Sequence, residues 1–189
     1  MLIYLQVLAL TLKIVYYVFI LLLNKVGYKF LQQGDIMKVI YLHHGQRSMG
    51  NPPSQNDKLT RLGYKDCKLT ARLFVDFKDK IKAIYTSNFH RCTKTAQILN
   101  KKLKKPIILE PRLNEFGSVP GESWADLQTR IIAFLNEITK QYSADDYVVC
   151  VTSGVNLGAF MCKAFNIAPS QDTPFLIVPS CSIVGFNYN

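Results

Sequence analysis

Two patterns of hydrophobicity divide the chain. From Leu2 to Leu23 the residues are almost purely apolar, interrupted by Gln6, Thr11 and Lys13. Beyond Met37, short apolar runs alternate with segments whose apolar residues recur at helical spacing. Val39-Ile40-Tyr41-Leu42, Ala83-Ile84-Tyr85, Ile107-Ile108-Leu109 and Tyr147-Val148-Val149-Cys150-Val151 read as buried strands, and Cys181 to Phe186 as a last one. Between them, Leu59, Leu62, Leu69 and Leu73 predict one helix, and Cys92, Ala96, Leu99 and Leu103 a second. Trp124, Leu127, Ile131, Phe134, Leu135 and Ile138 predict the strongest amphipathic helix, and Leu157, Phe160, Met161 and Ala164 a final one.

Strands alternating with helices predict an α/β fold: three layers, a mostly parallel sheet with helices on both faces. Ligands in such sheets bind beyond the carboxyl ends of the strands. Three polar clusters fall there, namely His43-His44-Gly45, Ser87 to Arg91, and Thr152-Ser153-Gly154.

Length and composition narrow the class. The 189 residues suffice for one ordinary domain, and 49% hydrophobic with 19% charged residues exclude a disordered chain. Of the net charge of +10, residues 1–36 contribute +2 (Lys13, Lys25 and Lys29 against Asp35), which leaves +8 on residues 37–189. A basic domain favours anionic partners. Lys101, Lys102, Lys104 and Lys105 cluster at a predicted helix end, where cations suit the dipole, and nothing else supports a nucleic-acid partner.

The leading reading sets residues 1–36 apart as an extension ahead of the true start. Gln33-Gly34-Asp35 can be encoded CAA-GGU-GAU, a good bacterial ribosome-binding sequence just before an AUG at Met37. The alternative is a membrane anchor, since about 20 apolar residues cross a bilayer. Lys25 and Lys29 would then keep the domain on the cytoplasmic side. A packed N-terminal helix is a third option. Both leading readings put residues 37–189 in the cytoplasm.

Five cysteines (Cys67, Cys92, Cys150, Cys162, Cys181), odd in number and without a C-x-x-C pair, argue against a disulfide scaffold or a zinc site and fit reduced thiols. No phosphate-binding glycine loop, dinucleotide fingerprint or G-x-S-x-G elbow is present. What remains is a strand-end histidine, an arginine heading a βα unit, and a loop acid, Glu115. Imidazole can accept a phosphoryl group, guanidinium binds its oxygens in a fork, and a carboxyl supplies the leaving-group proton. Taken singly, each of these residues is more often structural.

Their order changes the weight. Leu42-His43-His44-Gly45 is followed by Leu59-Thr60-Arg61-Leu62-Gly63, then Thr86-Ser87-Asn88-Phe89-His90-Arg91-Cys92-Thr93-Lys94-Thr95-Ala96, Leu113-Asn114-Glu115, Gly121-Glu122-Ser123 and Thr152-Ser153-Gly154. From Lys38 onward the chain resembles the histidine phosphatase superfamily, the phosphoglycerate-mutase-like fold. The resemblance implies that His44 accepts the phosphoryl group, Glu115 is the general acid/base, and Arg91 binds the phosphate. Arg47, close behind His44, is a further candidate phosphate ligand. The substrate implied is a small-molecule or protein phosphomonoester, with no cofactor and no metal.

Two positions depart from the family pattern. His43 stands for its first arginine and Ser153 for its second histidine, so a permanent cation gives way to an imidazole that is mostly neutral at pH 7. Removing one preorganised donor typically costs about 10²–10³ in rate. The leading expectation is a weak, divergent phosphatase in which His43 and Ser153 still line the phosphate site. The alternative is a pseudophosphatase that binds an anion or a partner without turnover, and another hydrolase chemistry or a membrane-tethered scaffold is a more distant third.

Overall fold

Successive strand residues point to opposite faces of a sheet, and the first strand feeds two cores in this way. The computed structural model describes residues 37–48, 54–164 and 179–188. Within β1 (Met37–His43), Val39 and Tyr41 join one buried cluster, while Ile40 and Leu42 join another. With β2 (Ile81–Thr86), β3 (Ile107–Leu109), β4 (Tyr147–Thr152) and β5 (Ile183–Tyr188) it forms a five-stranded sheet in the order β3-β2-β4-β1-β5. The pairs β1–β4, β2–β4 and β2–β3 are parallel, and β5 runs antiparallel to β1 at one edge.

Helices cover both faces, giving the three layers that the hydrophobic pattern predicts. On one side α1 (Arg61–Leu73) and α2 (His90–Leu103) enclose Ala71, Phe74, Cys92, Ala96 and Leu99 against Ile40, Leu42, Ile84 and Val149. On the other, α3 (Trp124–Ile138) and α4 (Gly154–Ala164) bring Leu127, Ile131, Phe134, Leu135 and Leu157 against Val39, Tyr41, Tyr85 and Val148. A capping box fixes the start of α3, Ser123 and Asp126 each accepting the other's backbone N–H. Trp124 is half-buried and stacks on Phe116 with ring centroids 4.3 Å apart.

The first helix lies where the leucines predict it but buries a different face. Leu62, Leu69 and Leu73 are 49%, 46% and 53% exposed, and the helix buries Gly63, Cys67, Thr70 and Ala71 instead. Leu59 is buried ahead of the helix, in a bridge to Arg47. Small residues win this face because α1 passes very close to the turn after β1, a contact that leucines would prevent.

Sheet register positions the site. Because β4 lies between β1 and β2, pairing His43 with Thr152 and Thr86 with Val151 brings the ends of three strands to one edge. Among the described residues no helix is long and apolar enough to cross a membrane. The apolar run Leu2–Leu23 lies outside them.

Candidate active site

Residue His44 emerges one position past β1, with its backbone N–H still held by Thr152 O at 3.0 Å. The next residue has to be glycine. A Cβ on Gly45 would stand 2.5 Å from Cys67 Sγ and 2.9 Å from Gly63 O, and one on Gly63 only 2.2 Å from Gln46 O. These two glycines let the amino end of α1 press directly onto the turn that presents His44. The Gly45 N–H donates to Thr95 Oγ1 at 3.0 Å, and that hydroxyl donates to Arg91 O at 2.8 Å, so turn and α2 are tied together.

The imidazole of His44 is buried and its tautomer is set by its neighbours. Nδ1 lies 2.8 Å from Gly45 O, and a carbonyl only accepts, so Nδ1 carries the proton. Nε2 is left with its lone pair and accepts from Arg91 Nε at 3.1 Å. Burial first, then the adjoining His43, drives the His44 pKa well below 6.5, and the charges of Arg91 and Arg47 add to this. Near neutral pH His44 is therefore an uncharged base with one nitrogen aimed at an arginine.

Arg91 is 3% exposed and all three guanidinium nitrogens are engaged. Nε contacts His44, Nη1 donates to Ser54 O at 3.1 Å, and Nη2 pairs with Glu115 Oε2. Its planar group also lies over the Phe89 ring, 4.8 Å from the centroid. Glu115, with its side chain 32% exposed, thus sits at the rim of the same cluster.

The remaining predicted residues are placed differently. His43 meets His44 edge to face, ring centroids 4.5 Å apart, and Nδ1 lies 3.0 Å from Pro179 O. Its ring packs over the start of α4, where a Cβ on Gly154 would come within 3.0 Å of it. Ser153 is buried, and its hydroxyl accepts the Asn156 N–H at 3.4 Å at the amino end of α4. Arg47 pairs with Asp57, whose carboxylate also accepts the Ser54 N–H at 3.1 Å. Arg47 therefore joins the cluster through Asp57 and Ser54. Among the described residues no group of His, Cys, Asp or Glu is arranged to hold a metal ion.

A family profile described as histidine phosphatase superfamily (branch 1) matches residues 42–119 and 116–189. The chain belongs to that superfamily. A search of curated proteins finds no match. Among solved structures, Bacillus stearothermophilus YhfR superposes with a TM-score of 0.68 at 21% identity, over 81% of this chain and 92% of that one. A phosphoserine phosphatase mutant from Entamoeba histolytica, solved with phosphoserine, gives 0.66 at 18% identity, over 82% and 92%. A mycobacterial glucosyl-3-phosphoglycerate phosphatase, solved with VO3, gives 0.61 at 19% identity, over 78% and 90%. These likenesses establish the phosphoglycerate-mutase-like fold.

For this superfamily member, motif reading gave no role to the residues that hold the Glu115 loop. Asn114 Oδ1 accepts from Ser87 Oγ and from Asn88 N, both at 2.9 Å, which joins the loop to the end of β2. Asn156 Nδ2 donates to Leu113 O at 2.9 Å and Asn114 O at 2.8 Å, which joins it to α4. Arg130 donates to Arg112 O and pairs with Glu122, whose Oε2 accepts the Gly117 N–H at 2.9 Å. Asn114 and Glu122 lie inside quoted motifs. Asn156 and Arg130 lie outside any, and only packing identifies them.

Proposed function

We propose that residues 37–189 hydrolyse a phosphomonoester, small-molecule or protein-borne, through a phosphohistidine on His44. The observation that carries this reading is the pairing of His44 Nδ1 with Gly45 O while Nε2 faces Arg91, which leaves a neutral, oriented nucleophile beside a guanidinium. As the Arg91 Nε–H turns from His44 Nε2 to a phosphate oxygen, the freed lone pair forms the P–N bond, the P–O bond to the leaving group breaks, and Glu115 gives the leaving oxygen its proton. Water then attacks phosphorus, Glu115 takes the proton, and the P–N bond breaks to return neutral His44. Incoming phosphate oxygens displace Glu115 from Arg91 Nη2, and the freed carboxylate takes the proton of the monoanionic phosphate ester and passes it to the leaving oxygen. Arg47, His43 and the amino end of α4, capped by Ser153, complete the phosphate surround. Reduced thiols fit a cytoplasmic setting.

A second reading has its own support. The Ser153 hydroxyl is engaged by the α4 backbone and His43 by Pro179 O, so the two substituted positions are tied to the protein itself. A pseudophosphatase that binds an anion without turnover fits that arrangement.

An aryl phosphate assay over pH 4.5–8, with quenching in alkaline detergent to preserve an acid-labile phosphoprotein, separates the two. Turnover and a labile adduct, both lost in His44→Ala, are expected. Phosphate binding detected by thermal shift without turnover would establish the pseudophosphatase instead.

A further inference from the structure

Behind the turn that carries His44 lies a cluster that the phosphoryl chemistry does not use. Cys67 of α1 and Cys181, just ahead of β5, are 114 positions apart in sequence, yet their sulfurs are 3.6 Å apart. Both are free thiols, Cys67 fully buried and Cys181 half-buried. A disulfide holds its sulfurs about 2.05 Å apart, so roughly 1.5 Å of closure is needed. Each cysteine is also attached to the backbone that presents His44. Cys181 N donates to His43 O at 3.0 Å and to His44 O at 3.2 Å. Cys67 Sγ lies over the Gly45 Cα, 3.6 Å from Thr95 Oγ1, the hydroxyl that receives the Gly45 N–H.

The hydrogen bond between the sulfurs lowers the Cys67 thiol below its ordinary range and, with burial, raises that of Cys181. Negative charge in the pair therefore settles on Cys67, which suits it to attack an oxidised Cys181.

We propose that Cys67 and Cys181 form an oxidative modification site that closes into a disulfide on reaction with a hydroperoxide and displaces His44 as it closes. Cys181, the half-buried and more accessible sulfur, passes its proton to Cys67 and attacks the distal peroxide oxygen as the thiolate, and the O–O bond breaks. The proton held on Cys67 leaves on the alcohol, or on water when the oxidant is hydrogen peroxide, so that Cys181 becomes a sulfenic acid and Cys67 is again the thiolate. That thiolate attacks the Cys181 sulfur, the S–O bond breaks, and hydroxide departs, taking a solvent proton to leave as water. The sulfur pair loses two electrons and the peroxide gains them. Closure draws Cys67 off Gly45 and turns the Cys181 backbone that holds the His43 and His44 carbonyls. The loss of turnover rests on the phosphatase reading, whereas the disulfide and the displacement of His44 do not.

The test treats the reduced full chain with hydrogen peroxide, then maps thiols by alkylation and peptide mass, and records the His44 imidazole resonances by NMR. A Cys67–Cys181 crosslink that dithiothreitol reverses is expected, with shifted His44 resonances. Aryl phosphate turnover should fall at least about tenfold, since displacement by about 1 Å can cost 10². Cys181→Ser should block the crosslink and keep the His44 resonances at their reduced positions under peroxide. If that variant fails to fold, Cys181→Ala or Cys67→Ser provides the same comparison. Cys67 remaining alkylatable after peroxide, or a crosslink that leaves the His44 resonances unmoved, would overturn the proposal. A chain without turnover in either state counts against the phosphatase reading, and the crosslink and resonances still decide this one.

Discussion

Arg91 Nε donates to His44 Nε2 at 3.1 Å, which places a permanent cation against the one imidazole atom that keeps a lone pair. Nδ1 is bound to Gly45 O, so the ring cannot change tautomer without losing that bond. In the proposed reaction the arginine both orients the nucleophile and receives the phosphate.

Arg91→Lys keeps the charge but loses the planar fork, the Ser54 contact and the stacking on Phe89. Its kcat/KM on an aryl phosphate should fall by about 10²–10³, as for loss of one preorganised donor. Steady-state kinetics on the folded variant checks this, and unchanged kinetics would remove the fork from phosphate binding.

The depressed His44 pKa has two consequences with the same sign. A histidine whose folded-state pKa lies below its unfolded value of about 6.5 favours the folded state fully above that pH. The contribution is lost as pH falls below 6.5, because the unfolded chain takes up the proton first. Stability should therefore decline from about pH 6.5 downward, and less so in His44→Gln. In the folded protein His44 should stay neutral through pH 6.5, so an NMR titration showing its ring titrating there would contradict the cause assigned, burial followed by the neighbouring His43.

Repair of the family pattern should work at one position and fail at the other. His43→Arg supplies a fixed fork beside His44 and should raise kcat/KM tens of times, given about 10² for one donor. The gain should vanish when His44→Ala is added. Ser153→His replaces a buried cap on α4 and should lower stability by about 1–3 kcal/mol through overpacking. Thermal melts beside the kinetics separate the effects, and a folded His43→Arg no faster than wild type would count against an intact pocket.

Ile131 is fully buried in α3 and Leu69 is 46% exposed on α1. Ile131→Ala should cost roughly 2–5 kcal/mol, while Leu69→Ala should stay within about 0.5 kcal/mol of wild type. Urea denaturation of both variants measures the contrast. Equal costs would mean that the α1 leucines are covered.

Apolar periodicity determined the element order, the mostly parallel sheet and its two helical layers, because each strand's alternation and each helix's stripe record which faces are buried. Motif order determined His44, Arg91 and Glu115 as candidates, since strand ends and loop positions are local properties of the chain. The burial of α1 was not legible. Its leucines have the right spacing, but the close approach of Gly63 to the Gln46 backbone selects the small-residue face, and that approach exists only after the turn past β1 has folded. Nor could the sequence show that Asn156 and Arg130 secure the Glu115 loop, because an amide or a guanidinium reveals its partners only when distant carbonyls converge on it. The same holds for Cys67 and Cys181. Counting cysteines argues against a scaffold, while the pair is made by β5 returning alongside β1 and bringing a thiol from the end of the chain to the turn behind His44.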